Sequence, residues 1–136
     1  VSYAGAAALQ GAVYARLVGD AAVQGFVGTA VLDAAPAGVP PDLYLVLGED
    51  DMRRRGDSGG EIAEHSFRLS VFSSEASFAT AKAVAAAAEA ALTETALSLA
   101  HGRLVSLNLR RVRARRSRGH ARRQIELIFR AVLDEI

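Results

Sequence analysis

The chain has 136 residues, 51% hydrophobic and 23% charged, with no cysteine. This predicts one domain over 1–136 that buries roughly two-thirds of its extended surface, and it excludes thiolate metal sites, thiol nucleophiles and disulfides. The net charge of +1 conceals a dipolar chain: residues 1–102 carry six basic and twelve acidic groups, whereas residues 103–136 carry ten and three. The longest apolar run, Ala83–Ala88, is far shorter than the ~20 residues of a membrane span, so no membrane partner is expected.

The first predicted element is a helix over Ser2–Val18, with Leu9, Val13 and Leu17 repeating every fourth residue to make a core stripe. Asp20 can cap a short second helix through Val27 by accepting from free first-turn amides, and Gly28 can end it. A short strand over Thr29–Leu32 follows. All three prolines (Pro36, Pro40, Pro41) then mark a loop, before an apolar strand over Leu43–Leu47. Gly48–Gly60 mixes acids, Arg53, Arg54, Arg55 and glycines, and reads as a mobile connection between strands.

From Ile62 to Phe72 the pattern alternates, with His65, Phe67, Leu69 and Val71 on one face, as in a half-buried strand. Ser73 and Ser74 offer caps for an alanine-rich helix over Ala76–Thr93, whose small core face (Ala81, Ala85, Ala88, Leu92) predicts close packing. Beyond it, Val105, Leu107 and Leu109 alternate with polar residues. The phase slips at Arg111, so that Val112 and Ala114 continue it, which suggests a bulge. The partner strand runs from Arg122 to Leu133, and Ser117–Ala121 turns the hairpin. Strands that follow one another without crossover helices predict an α+β fold: a mainly antiparallel sheet, two to three helices on one face and a long C-terminal β-hairpin.

Enzyme chemistry finds little support in the residues. His65, His101 and His120 lie in a strand, a turn and a hairpin tip, with no metal-binding spacing and no nucleophile motif beside them, and a core or interface role fits His65 better than catalysis. The cluster Glu49, Asp50, Asp51 lacks the spacing of a calcium loop, and Gly56–Gly60 lacks the context of a phosphate loop. No catalytic residue, metal or cofactor is therefore expected.

Arginine carries the strongest chemical signal. Between Arg103 and Arg123 there are nine arginines and no acid, although a total of 15 arginines to one lysine fits a GC-rich genome as well as a mechanism. Guanidinium forks suit phosphates and carboxylates, but no aromatic interleaves the run to stack on bases. Because the same chain supplies the opposite charge, contact with the acidic part of another copy is favoured over nucleic acid. The candidate interface is Arg53, Arg54, Arg55, Arg115, Arg116, Arg118, Arg122 and Arg123.

The segments Leu9–Leu17, Asp20–Gly28, Val31–Pro36, Pro41–Glu49, Glu64–Ser73, Ala81–Val84 and Leu104–Leu107, in this order and spacing, resemble the tail-completion proteins of long-tailed phages and phage-like gene transfer agents. The resemblance implies a structural virion protein, assembled in the host cytoplasm. It would form a homo-oligomeric, hexameric tail terminator ring that caps the tail tube, stops its polymerisation and joins it to the head connector. The implied partners are other copies, the tail tube protein and the head connector or stopper, with DNA passing through the lumen without specific binding. A connector stopper, a minor tail protein or a basic nucleic-acid-binding module are the alternatives.

Overall fold

The computed structural model describes residues 3–55, 62–116 and 122–135. In chain order it contains α1 (Ala4–Gly19), α2 (Ala21–Val27), β1 (Val31–Leu32), β2 (Leu43–Arg55), β3 (Ile62–Ser73), α3 (Ala79–Thr93), β4 (Arg103–Arg116) and β5 (Arg123–Asp134). The five strands form one sheet in the order β1-β2-β3-β5-β4; only β1 and β2 pair in parallel. This is the expected α+β architecture, with the β4–β5 hairpin at its C-terminal end.

The helices pack on one face because their apolar stripes meet the inward-facing residues of alternating strands. Leu9, Val13 and Leu17 of α1 and Val23 and Val27 of α2 join Leu45, Leu69, Val71, Ile125, Leu127 and Phe129 in the core. The face of α3 is built from Ala81, Val84, Ala85, Ala88 and Leu92, and its alanines bring that helix close to β3 and β5. Phe67 and Phe129 stack at the centre with ring centroids 5.2 Å apart. As the sequence predicts, the Asp20 carboxylate accepts from the Val23 amide at 3.0 Å, and Gly28 closes α2 with φ at +60°. Arg16 ties α1 to α3: its Nη1 donates to the carbonyls of Ala91 and Thr95, both at 3.0 Å, and its Nη2 to that of Ala96 at 3.1 Å.

Four expectations need correction. Gly48–Arg55 is not a connection but the second half of β2, paired with Ile62–Arg68; a bulge at Glu49, whose φ is +41°, absorbs the extra residue. Ser73 and Ser74 do not cap α3, which starts at Ala79; Ser73 instead accepts from the Glu75 amide and Ser77 from that of Ala79, both at 3.1 Å. The first strand is limited to Val31–Leu32, short of the expected Thr29 start. In β4, Val105 is not inward but 48% exposed, because a second register shift between Leu104 and Ser106 gives Leu104 the core-facing position. The predicted slip does occur, between Leu109 and Arg111. The rest of the expected connection, residues 56–60, and the hairpin tip, including Arg118 and His120, lie outside the described residues.

Candidate functional site

The arginine-rich arm is the outer edge of the sheet, because among the described residues β4 pairs only with β5. Pairing places Arg111, Arg113 and Arg115 opposite Ile128, Glu126 and Gln124, on the sheet face that carries no helix. Arg115 Nη2 sits 3.2 Å from Glu126 Oε2 and Arg103 Nη2 sits 3.3 Å from Asp134 Oδ2. Arg110, Arg111, Arg113 and Arg116 are exposed and have no carboxylate within 4.0 Å among the described residues.

The eight arginines singled out from sequence do not form one cluster. Arg53, Arg54 and Arg55 end β2, and Arg55 is level with Arg103 through Ile62 and Asp134; Arg55 Nε also pairs with Glu64 Oε2 at 3.1 Å. Arg115, Arg116, Arg122 and Arg123 lie at the opposite end of the strands. Of these, Arg122 and Arg123 turn onto the body of the fold. Arg122 donates to the Pro41 carbonyl at 2.8 Å and covers the Tyr44 ring, while Arg123 donates to the Ala76 carbonyl and covers Phe78. These two hold a loop and the start of α3 against the hairpin.

Charges on the open sheet face form a network across four strands, from Glu49 of β2 through Arg68 of β3 and Glu126 of β5 to Arg115 of β4. Arg68 Nη1 lies 3.0 Å from Glu49 Oε1 and 3.4 Å from Glu126 Oε2, and the Glu126 side chain is only 9% exposed. Arg130 Nη1 approaches Glu64 Oε1 at 3.7 Å. Two cations around one nearly buried carboxylate offset its desolvation, and the arrangement keeps the strands in register.

A grouping that sequence spacing did not reveal lies beneath the first turn of α1. His65 Nε2 is 3.9 Å from Glu135 Oε2, and His101 Nε2 is 3.7 Å from Glu135 Oε1. Neither ring nitrogen of His65 nor either oxygen of Glu135 has a hydrogen-bond partner among the described residues. Burial pushes the His65 imidazole below its ordinary value, against the opposing pull of the Glu135 and Asp50 carboxylates. The apolar phase of His65 was visible in the sequence, and Glu135 continues the same inward parity after Leu133. Their approach depends on β3 pairing with β5.

Among the described residues no three His, Asp or Glu side chains are placed to hold a metal ion, and no helix is long and apolar enough to cross a membrane. A groove of about 180 Å³ opens between α1 and β2, with Leu9, Val13 and Phe67 below and Asp33, Glu49 and Asp50 at its rim. The chemistry on display is charge pairing and strand pairing.

Comparison with known proteins agrees with an assembly role. No curated protein sequence matches the chain. Among solved structures, it is similar to a chain of the structure described as "Virion of native gene transfer agent (GTA) particle", with 46% sequence identity and a TM-score of 0.90, covering 97% of this chain and 98% of that one. The profile of the family described as "Tail completion protein gp17" matches residues 11–134, nearly the whole chain, and this protein belongs to that family.

Proposed function

We propose that this chain is the tail terminator of its particle. As a tail completion protein it is a structural component of the virion tail. In the proposed role residues 1–136 act as one domain, copies close into a hexameric ring at the head-proximal end of the tail tube, and that ring stops tube polymerisation and presents the surface on which the head connector docks. The role requires binding and no covalent chemistry. The observation that carries the reading is the near-complete match to a chain of a gene transfer agent virion, at 46% identity over 97% of this chain, together with the family match. A chain with opposite charge on two of its parts suits head-to-tail contacts, which close into a ring when the rotation permits.

The test is the tail-length distribution, by electron microscopy, of particles assembled without the chain. Overlong tubes and unattached heads are expected. Tails of normal length joined to full heads would overturn the terminator role.

A further inference from the structure

The two edges of the sheet differ in a way that suits each other. On one side β1 covers only Leu45 and Val46 of β2, so Leu47–Arg55 has no strand on its outer side among the described residues. This stretch carries Glu49, Asp50 and Asp51 next to its bulge and Arg53, Arg54 and Arg55 at its end. On the other side all of β4 is open among the described residues, with Arg110, Arg111, Arg113 and Arg116 exposed and without a carboxylate within 4.0 Å among them. Open edges of this length are aggregation templates unless they are charged, covered or reserved for a partner.

Charge and topology together select the partner. Pairing β4 with another β4 sets arginines against arginines; pairing β2 with another β2 can set its acids against Arg53, Arg54 and Arg55, but as a two-fold contact it closes a dimer and not a ring, whereas β4 against β2 brings Arg110 and Arg111 to the acids in a contact that repeats. Three successive antiparallel pairings, β2–β3, β3–β5 and β5–β4, make β4 antiparallel to β2 within one chain. A rotation about an axis along the strands therefore brings the β4 of one copy beside the β2 of the next in the orientation the sheet already uses. The bulges coincide in height as well: Gly48 is level with Arg68, Ile128 and Arg111, so the kink in β2 and the kink in β4 lie on one line across the sheet.

From this we infer that the partner of the β4 edge is a second copy of this chain, whose β2 stretch Leu47–Arg55 it extends as an antiparallel strand, Arg110 and Arg111 meeting Glu49 and Asp51. Half-exposed Val105 and Val112 of β4 become covered in the same contact. The contact is heterologous, and repetition of it closes a ring. It deepens the ring reading above and rests on it.

The absence of native cysteine makes cross-linking a clean test. Asp51→Cys is combined in turn with Ser106→Cys, Asn108→Cys, Arg111→Cys and Arg113→Cys, all on the helix-free face, in particles whose only copy is the variant. One combination is expected to give a ladder of multimers on a non-reducing gel, with none from either single variant. Rings visible at the tail end without a ladder from any combination would overturn edge pairing and leave the ring. Absence of any ring would overturn both.

A charge exchange covers the case in which the cysteine variants do not assemble. Arg110→Glu with Arg111→Glu, and separately Glu49→Arg with Asp51→Arg, are expected to lower particle yield by about tenfold or more, because like charges face each other. The four changes together are expected to restore it. Undiminished yield from either pair, or no restoration, counts against the contact.

Discussion

His65 and Glu135 face each other across 3.9 Å with both side chains buried, and neither makes a hydrogen bond among the described residues. The pair lies where β3 meets the end of β5, close beneath the first turn of α1, with His101 on the far oxygen of Glu135 and Asp50 adding its charge from β2. A neutral imidazole is tolerated there because protonation would place a charge where water cannot reach.

Acid sensitivity follows from this placement. Folding lowers the proton affinity of His65, so above its ordinary value near 6.5 both states are neutral and it contributes nothing to pH dependence. Below that value the unfolded chain takes up the proton first, and stability falls as pH drops toward the lowered folded value. Replacement of His65 by Leu is expected to shrink the fall in Tm between about pH 7 and pH 5. Equal falls in the two proteins would contradict the assignment.

Glycines in α1 are expected to respond in opposite directions. A Cβ at Gly5 would lie 2.9 Å from Leu133 Cδ2 and 3.1 Å from Glu135 Cδ, whereas one at Gly11 meets nothing within 4 Å. Gly5→Ala should cost about 1 kcal/mol through overpacking. Gly11→Ala should add about 0.5 to 1 kcal/mol through helix propensity. Chemical denaturation of the two variants measures both signs.

Arg16 is expected to matter more than a surface arginine usually does. It donates to three carbonyls around the C-terminal end of α3, where a cation also complements the helix dipole. Arg16→Met, which keeps the aliphatic stem, should lose about 1 to 2 kcal/mol of stability. A Tm unchanged from wild type would show that water replaces these bonds at no cost.

The carboxylate of Glu126 gives a fourth test. It is held by Arg68 at 3.4 Å and Arg115 at 3.2 Å. Arg68→Met should destabilise by about 1 to 3 kcal/mol, because it leaves a nearly buried charge with half its partners. Pairing it with Glu126→Gln should recover part of the loss. A double-mutant cycle with no coupling would remove the network from the account of strand register.

Local pattern was enough for much of the fold. The stripe Leu9, Val13, Leu17, the Asp20 cap, the alternation of Ile62–Phe72 and the slip before Arg111 each declare an element, since side-chain burial follows the period of the backbone. The second half of β2 was hidden for the same reason. Asp50, Met52 and Arg54 share the face of Phe67, His65 and Ala63 by register, yet Asp50 and Arg54 are exposed, so an apolar alternation that would mark a strand is missing, and pairing with Ile62–Arg68 makes it one.

The candidate surface divides along similar lines. Charge separation along the chain, and the likeness to tail-completion proteins, were legible before any coordinates, because both are properties of residue order. Whether a given arginine is free or engaged was not. Arg122 and Arg123 are committed to carbonyls and rings of the same chain, while Arg110, Arg111 and Arg113 are exposed on the edge strand with no carboxylate partner among the described residues. The sequence determined which elements form and where charge accumulates. Tertiary structure alone decided strand order, and strand order sets which edges stay open, because pairing between distant strands depends on register that no local pattern encodes.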